Sequence, residues 1–225
     1  MSPANVHPLY IPPGSQGPTE AGHLILRDGT TAMIRMAQPD DRSALQAFLD
    51  RLPPESKRHR FLSQFGPTPE LIASLCDASN PHSRLTLIVT RTWERTERII
   101  AAGSYLARNG QTAEIALAVD DVFQGKGIGT LLLERLALTA IRHGFVSLWA
   151  VTHAEDGHMR NVFKESGFDL RETQSGGEMA VELSLTPTDA GATRSAIRDR
   201  IATTASLRPF FRPRAVAVIG ASRDP

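Results

Sequence analysis

Residues 113–136 read AEIALAVDDVFQGKGIGTLLLERL. A run of alternating small and branched residues passes through two aspartates into glycines at alternate positions, Gly125, Gly127 and Gly129, and then into leucine. The first part has the two-residue period of a strand, with Glu114, Ala116 and Ala118 on one face and Ile115, Leu117 and Val119 on the other. The last part has helical spacing and runs to His143, where Gly144 stops it. The glycines therefore sit where the helix begins. Amides of a first helical turn have no carbonyl partner and lie at the positive end of the dipole, which suits an anion such as a pyrophosphate, with Lys126 adding charge. An ordinary glycine turn capping a core helix has the same spacing, and both readings stay open on spacing alone. The loop fits neither G-x-x-x-x-G-K-[ST] nor G-x-G-x-x-G, so neither an ATP P-loop nor a dinucleotide fingerprint is supported.

The polar face of the strand carries a carboxylate followed by two methyl-sized side chains. That pattern leaves a groove in which a slim substrate can lie, from the anion loop toward Glu114. A solvent-facing glutamate paired with an arginine would look the same.

Outward from this centre, HLILRDGTTAMIRMA (23–37) predicts two extended pieces around the Asp28-Gly29 turn, and QPDDRSALQAFLDRL (38–52) a helix with apolar Leu45, Phe48, Leu49 and Leu52. PPESKRHRFLSQF and TPELIASLCDA predict two more helices, each with proline near its start. RLTLIVTRTW, RIIAAGSYLAR and TAEIALAV form an antiparallel meander. FVSLWAVT is a buried strand, DGHMRNVFKESGF a helix ending at Gly167, and DLRETQS with EMAVELSL a closing strand pair. Residues 1–22, rich in Pro, Gly and Ser, read as a flexible tail. Residues 187–212 read as a linker in which AIRDRIATTASL is a candidate helix, and 213–225, PRAVAVIGASRDP, as the opening of a second domain, with Ala215 to Ile219 a strand lacking neighbours.

The 225 residues carry a formal net charge of +1, which gives no reason to expect a broad basic face for nucleic acid or an anionic membrane. Cys76 is the single cysteine, so no intrachain disulfide forms, consistent with the cytoplasm. The N-terminus has no basic n-region followed by an apolar segment, and nowhere do eighteen apolar residues run together, so neither export nor membrane insertion is expected.

The stretch 113–136 resembles the core of the GNAT superfamily of N-acetyltransferases, with Gln124-Gly125-Lys126-Gly127-Ile128-Gly129 matching its Q/R-x-x-G-x-G/A loop. The similarity extends over about residues 24 to 185 and includes MRNVFKESGF. A narrower resemblance is to the Pat-type bacterial protein lysine acetyltransferases, carried by LRDGTTAMIRMAQPDD, LPPESKRHRF and AEIALAV, with PRAVAVIGAS resembling the start of an acyl-CoA synthetase-like CoA-binding region. The resemblance implies an α/β (α+β) GNAT fold over 23–186, with a mixed, mostly antiparallel sheet of about six to seven strands flanked by helices. It implies acetyl-CoA as cosubstrate with no metal, the pyrophosphate on the amides of Gln124, Gly125, Lys126, Gly127, Ile128, Gly129 and Thr130, and the pantetheine beside Ala118 and Val119. It also implies an amide at or next to Ala118 on the thioester carbonyl, Glu114 as catalytic base for direct attack by a protein lysine, and AMP-forming acyl-CoA synthetases as partners.

Two positions depart from the family pattern. Phe163 stands where many members have a tyrosine acid, so no general acid is assigned, and Asp156 stands where an asparagine is common, which leaves a CoA contact there open. Acetylation of a small amine, or a non-catalytic acyl-CoA sensor, are the competing functions. Other candidates have simpler accounts. His153, Glu155, Asp156 and His158 lack metal-ligand spacing, Lys57 to Arg60 read as a solvated helix face, Asp120-Asp121 as an acidic turn before a helix, and Trp93 and Trp149 as core or sheet-face residues.

Overall fold

A computed structural model describes residues 21–61, 67–93, 95–186 and 189–211. Of the tail expected over 1–22, residues 1–20 lie outside the described residues, as does the strand expected at 215–219, while Ala21 and Gly22 belong to a strand, paired with Arg35 and Ile34. Eight strands form one sheet in the order β1-β2-β3-β4-β5-β6-β8-β7. β1 (Ala21–Ile25) and β2 (Thr31–Met36) are a hairpin across the Asp28-Gly29 turn. Both count as full strands, which brings the sheet to eight rather than six or seven. Helices α1 (Arg42–Arg51), α2 (Pro54–Phe61) and α3 (Pro69–Leu75) follow, then the meander β3 (Arg84–Trp93), β4 (Thr96–Asn109) and β5 (Thr112–Val119). Helix α4 (Ile128–Arg142) crosses over to β6 (Ser147–His153), and α5 (Gly157–Ser166), β7 (Asp169–Ser175), β8 (Glu178–Ser184) and α6 (Asp189–Phe211) follow.

Every pairing is antiparallel except β5 with β6, which the α4 crossover makes parallel. That one pair is short. It runs only from Thr112 and Ser147 to Glu114 and Trp149, whereas β5 continues along β4 to Val119 and β6 along β8 to His153. A wedge therefore opens between the two strands just past Glu114.

The two faces of the sheet carry separate cores. Leu132, Leu133, Leu136 and Ala137 of α4 pack on Leu87, Ile100, Ala113, Ile115 and Leu117, while Leu45, Phe48, Leu49 and Ile72 of α1 and α3 pack on Ile88, Ile99, Ala102 and Ala118. The alternation of β5 is thus realised, with Glu114 exposed. Cys76 is fully buried in the second core, where burial pushes its thiol upward. No helix among the described residues is long and apolar enough to cross a membrane.

The candidate helix AIRDRIATTASL in the segment read as a linker is present and extends over Asp189–Phe211, and it packs on the domain. Arg194 and Arg198 of α6 donate to the carbonyls of Lys164 and Glu165, in the last turn of α5, and Arg198 pairs with Glu134 of α4. Gly167 caps α5 at φ +80°, and a Cβ there would lie 2.5 Å from the Cα of Gly191, so glycine is required both by backbone and by contact.

Where α4 crosses β4 the clearance is just as small: a Cβ on Gly103 would meet Leu117, Leu136 and Leu132 at 2.6, 2.8 and 3.0 Å. Gly103→Val is expected to lower stability by about 1–3 kcal/mol through overpacking, read as a fall in the urea midpoint with little change in slope.

Candidate active site

The wedge holds a cavity of about 430 Å³. Its floor is Leu117, Ala118 and Val119 of β5, and one end is closed by Gln124, Gly125 and Gly127 to Thr130. Gly125 and Gly127 have φ of +73° and +82°, which ordinary residues adopt only with strain, and nothing lies within 4 Å of where either would carry a Cβ. Gly127 is the N-cap of α4, and the first intrahelical bond donates from the Leu131 amide to the Gly127 carbonyl. The amides of Gly127, Ile128, Gly129 and Thr130 therefore have no helical acceptor and border the open space. Gly129 is bare for another reason: a Cβ would approach Val162 of α5 to 3.1 Å.

Gln124 is held outside the helix. Its side-chain amide donates to Asp121 at 3.0 Å and to the Val119 carbonyl at 3.4 Å, and the same Asp121 oxygen accepts from Ser56 of α2. Asp120 caps the short turn through the Val122 amide and pairs with Arg51 at 3.8 Å. The two aspartates are thus the frame of the loop.

Lys126, expected to add charge at the glycine loop, is paired with a carboxylate. Its Nζ sits 2.9 Å from Asp28, in the β1–β2 turn, and 5.7 Å from the Phe123 ring centroid, and it is not among the cavity residues. The turn that captures it delivers another cation. Arg27, whose amide donates to the Lys126 carbonyl at 3.0 Å, lines the cavity. Nothing in the spacing around Arg27 marked it, because its place depends on the hairpin folding back onto a loop about a hundred residues away.

Asp156, where an asparagine was the expected alternative, caps α5 by accepting from the Met159 amide at 2.9 Å and from Thr152 at 3.3 Å, and it also borders the cavity. Phe163 is buried in the α4 core. Lys57 donates to the Asp50 carbonyl at 2.9 Å, tying α2 to α1, and the side chains of His59 and Arg60 lie outside the described residues. Among the described residues no group of three or more His, Cys, Asp or Glu could hold a metal ion. Glu114 lies at the closed point of the wedge, exposed and outside the cavity lining, four residues and thus about 13 Å along the strand from Ala118. Its side chain makes no hydrogen bond or ion pair among the described residues, so the arginine-paired alternative is not what the structure has. Bare amides and an arginine at one end, a free strand edge along the side and a carboxylate at the apex suit an extended anionic ligand reacting near Glu114.

Residues 46–168 match the Acetyltransferase (GNAT) family. The chain belongs to that family. Acetyltransferase PA5475 of Pseudomonas aeruginosa is 30% identical over 153 residues, 66% of this chain and 82% of its own. Among solved structures, the GNAT domain of S. lividans PAT superposes with a TM-score of 0.67 at 24% identity, over 75% of this chain and 98% of that domain. The yncA protein of Salmonella typhimurium, solved with its cofactor acetyl-CoA, gives 0.58 at 17% identity, over 71% and 96%. A cAMP-binding acyltransferase from Mycobacterium smegmatis gives 0.53 at 21%, over 84% of this chain and 55% of that one, so this chain spans about half of that protein. These structures share the fold. The protein is accordingly a GNAT acetyltransferase, of a family that uses acetyl-CoA.

Burial raises the Asp28 carboxyl, but hydrogen bonds from Thr30 and Lys126 outweigh it and hold the group at about 2, below its ordinary 3.8. A depressed carboxylate stabilises the fold at pH above 3.8, and its contribution is lost as pH falls through about 2. Because Asp28 is 38% exposed, screening limits the pair to on the order of 1 kcal/mol. Asp28→Asn is expected to be less stable than the parent at neutral pH, with the gap closing between pH 4 and pH 2 in urea unfolding followed by circular dichroism.

Proposed function

We propose that this GNAT acetyltransferase acetylates the Nε of protein lysines in the cytoplasm, with AMP-forming acyl-CoA synthetases as acceptors. The observation that carries the reading is the place of Glu114, an exposed and unpartnered carboxylate at the point where β5 and β6 part. The surrounding face is open to solvent, with Leu106 beside it 51% exposed, which favours a macromolecular acceptor over a small amine enclosed in a pocket. The likeness to the S. lividans PAT domain supports the same choice.

Acetyl-CoA fits the cleft. The amides of Gly125 and of Gly127 through Thr130, with Arg27, would hold its pyrophosphate, and the unpaired edge of β5 at Ala118 and Val119 its pantetheine; bound there, it supplies an activated acetyl thioester. A lysine of ordinary pKa about 10.4 is only about 0.04% neutral at pH 7, a penalty of roughly 5 kcal/mol on having the nucleophile ready. Glu114 offsets it by accepting the ammonium proton, through a water given its distance from Ala118. The freed nitrogen bonds to the carbonyl carbon and gives up its surplus proton to water, the C–S bond breaks, and sulfur leaves as a thiolate that needs no acid, consistent with Phe163. The amide at or next to Ala118 stabilises negative charge building on the carbonyl oxygen.

Glu114→Gln is expected to bind acetyl-CoA like the parent and to lose at least 100-fold in turnover at neutral pH, measured as thiol release with a purified AMP-forming acetyl-CoA synthetase as acceptor. Undiminished turnover would remove Glu114 from the chemistry. Tight acetyl-CoA binding without release to any acceptor would instead favour an acyl-CoA sensor. Gly127→Val, which strains the φ +82° position and fills open space, is expected to weaken acetyl-CoA binding at least tenfold by calorimetry.

A further inference from the structure

The sheet register sets one row of side chains across the open face at the apex of the wedge: Leu106 on β4, Glu114 on β5, Trp149 on β6 and Glu182 on β8, each the direct partner of the next. Their chain neighbours Tyr105, Ala113, Leu148 and Val181 are buried against α4, so the row itself faces the other way. Trp149 is half-buried and is not part of either core cluster. It stands between two carboxylates, and Arg171 is the register partner of Glu182 on its far side. Neither Glu114 nor Glu182 has an ion pair among the described residues.

The ring of Trp149 is covered by a cation. The Arg108 guanidinium carbon lies 3.7 Å from its centroid. Arg108 is exposed and sits at the irregularity between Ala107 and Asn109, where the β4–β5 register shifts. An exposed arginine thus sits on the indole face, in a field made favourable by the flanking carboxylates.

We infer that Trp149 receives the acceptor lysine, whose ammonium rests on the indole face beside Glu114, and that Arg108 keeps this place while no acceptor is bound. The identity of the acceptor rests on the lysine acetyltransferase reading; the cation platform rests on the register and on Arg108. An indole suits the task because its face attracts an ammonium and accepts no proton. It holds the charged resting form, leaves the proton to Glu114, and loses its grip once the nitrogen is neutral and can advance into the wedge. The acetylated product is uncharged, so the same ring releases it.

The test uses the whole chain labelled with fluorotryptophan and saturated with CoA, in which fluorine NMR resolves the two tryptophans and Trp149→Phe assigns them. The probes are a blocked synthetic peptide with one lysine and its Nε-acetylated counterpart. The lysine peptide is expected to shift the Trp149 resonance saturably, the acetylated peptide to bind at least tenfold more weakly, and Arg108→Ala to tighten lysine-peptide binding at least threefold. Trp149→Leu is expected to raise the KM for protein acceptor at least tenfold with the KM for acetyl-CoA within twofold. A Trp149 resonance indifferent to the lysine peptide, or equally responsive to both peptides, overturns the platform whether or not the protein turns over. A selective shift without thiol release from any protein acceptor upholds the platform and overturns the catalytic reading, and thiol release with an unresponsive Trp149 does the opposite.

Discussion

β5 and β6 hydrogen-bond from Thr112 and Ser147 to Glu114 and Trp149 and then separate, and the cleft exists because neither strand can follow the other. β5 is committed to β4 as far as Val119, and β6 to β8 as far as His153. Antiparallel pairs are slightly the stronger, and sheet twist turns the two strands apart. Two polar edges are left facing each other, with no backbone partner available to either. Such edges are costly unless water or a ligand satisfies them, which is why binding here needs little from side chains.

The charges around the cleft follow from how its loop is fastened. The glycine loop has little side-chain material of its own to fix it, so it is held from outside. Asp121 takes Gln124 and Ser56, Asp120 takes Arg51, and Asp28 takes Lys126. The cation next to the glycines is consumed by this fastening, and Arg27 from the opposite side of the same hairpin turn borders the cavity instead.

What was legible in the sequence was what short-range periodicity encodes. The alternation of β5 placed Glu114 opposite the α4 core, and the alternate glycines marked the start of α4 correctly to within a few residues. The salt bridge of Lys126 with Asp28 is not legible in the sequence, because proximity along the chain says nothing of a carboxylate from a distant hairpin, and the place of Arg27 is hidden for the same reason. Asp156 looked like a lost ligand contact, whereas at the mouth of α5 an aspartate is a good cap. The start of α6 reads as a linker because Gly191 and Thr193 have weak helical propensity, while AIRDRIATTASL is legible as a helix; what the sequence hides is how α6 is held, by Arg194 and Arg198 reaching carbonyls at the end of α5, a tertiary contact with no local signature.

That last contact changes what counts as the edge of the domain. Glu165, whose carbonyl accepts from Arg198, also lines the cavity, and Gly167 is pressed against Gly191. The final strand, β8, is therefore not where the catalytic unit closes. A chain cut after Ser184 would keep every strand of the sheet, yet the last turn of α5 would face solvent with its carbonyls uncapped, and one wall of the cleft would loosen with it. In this protein the sheet ends before the packing around the cleft does.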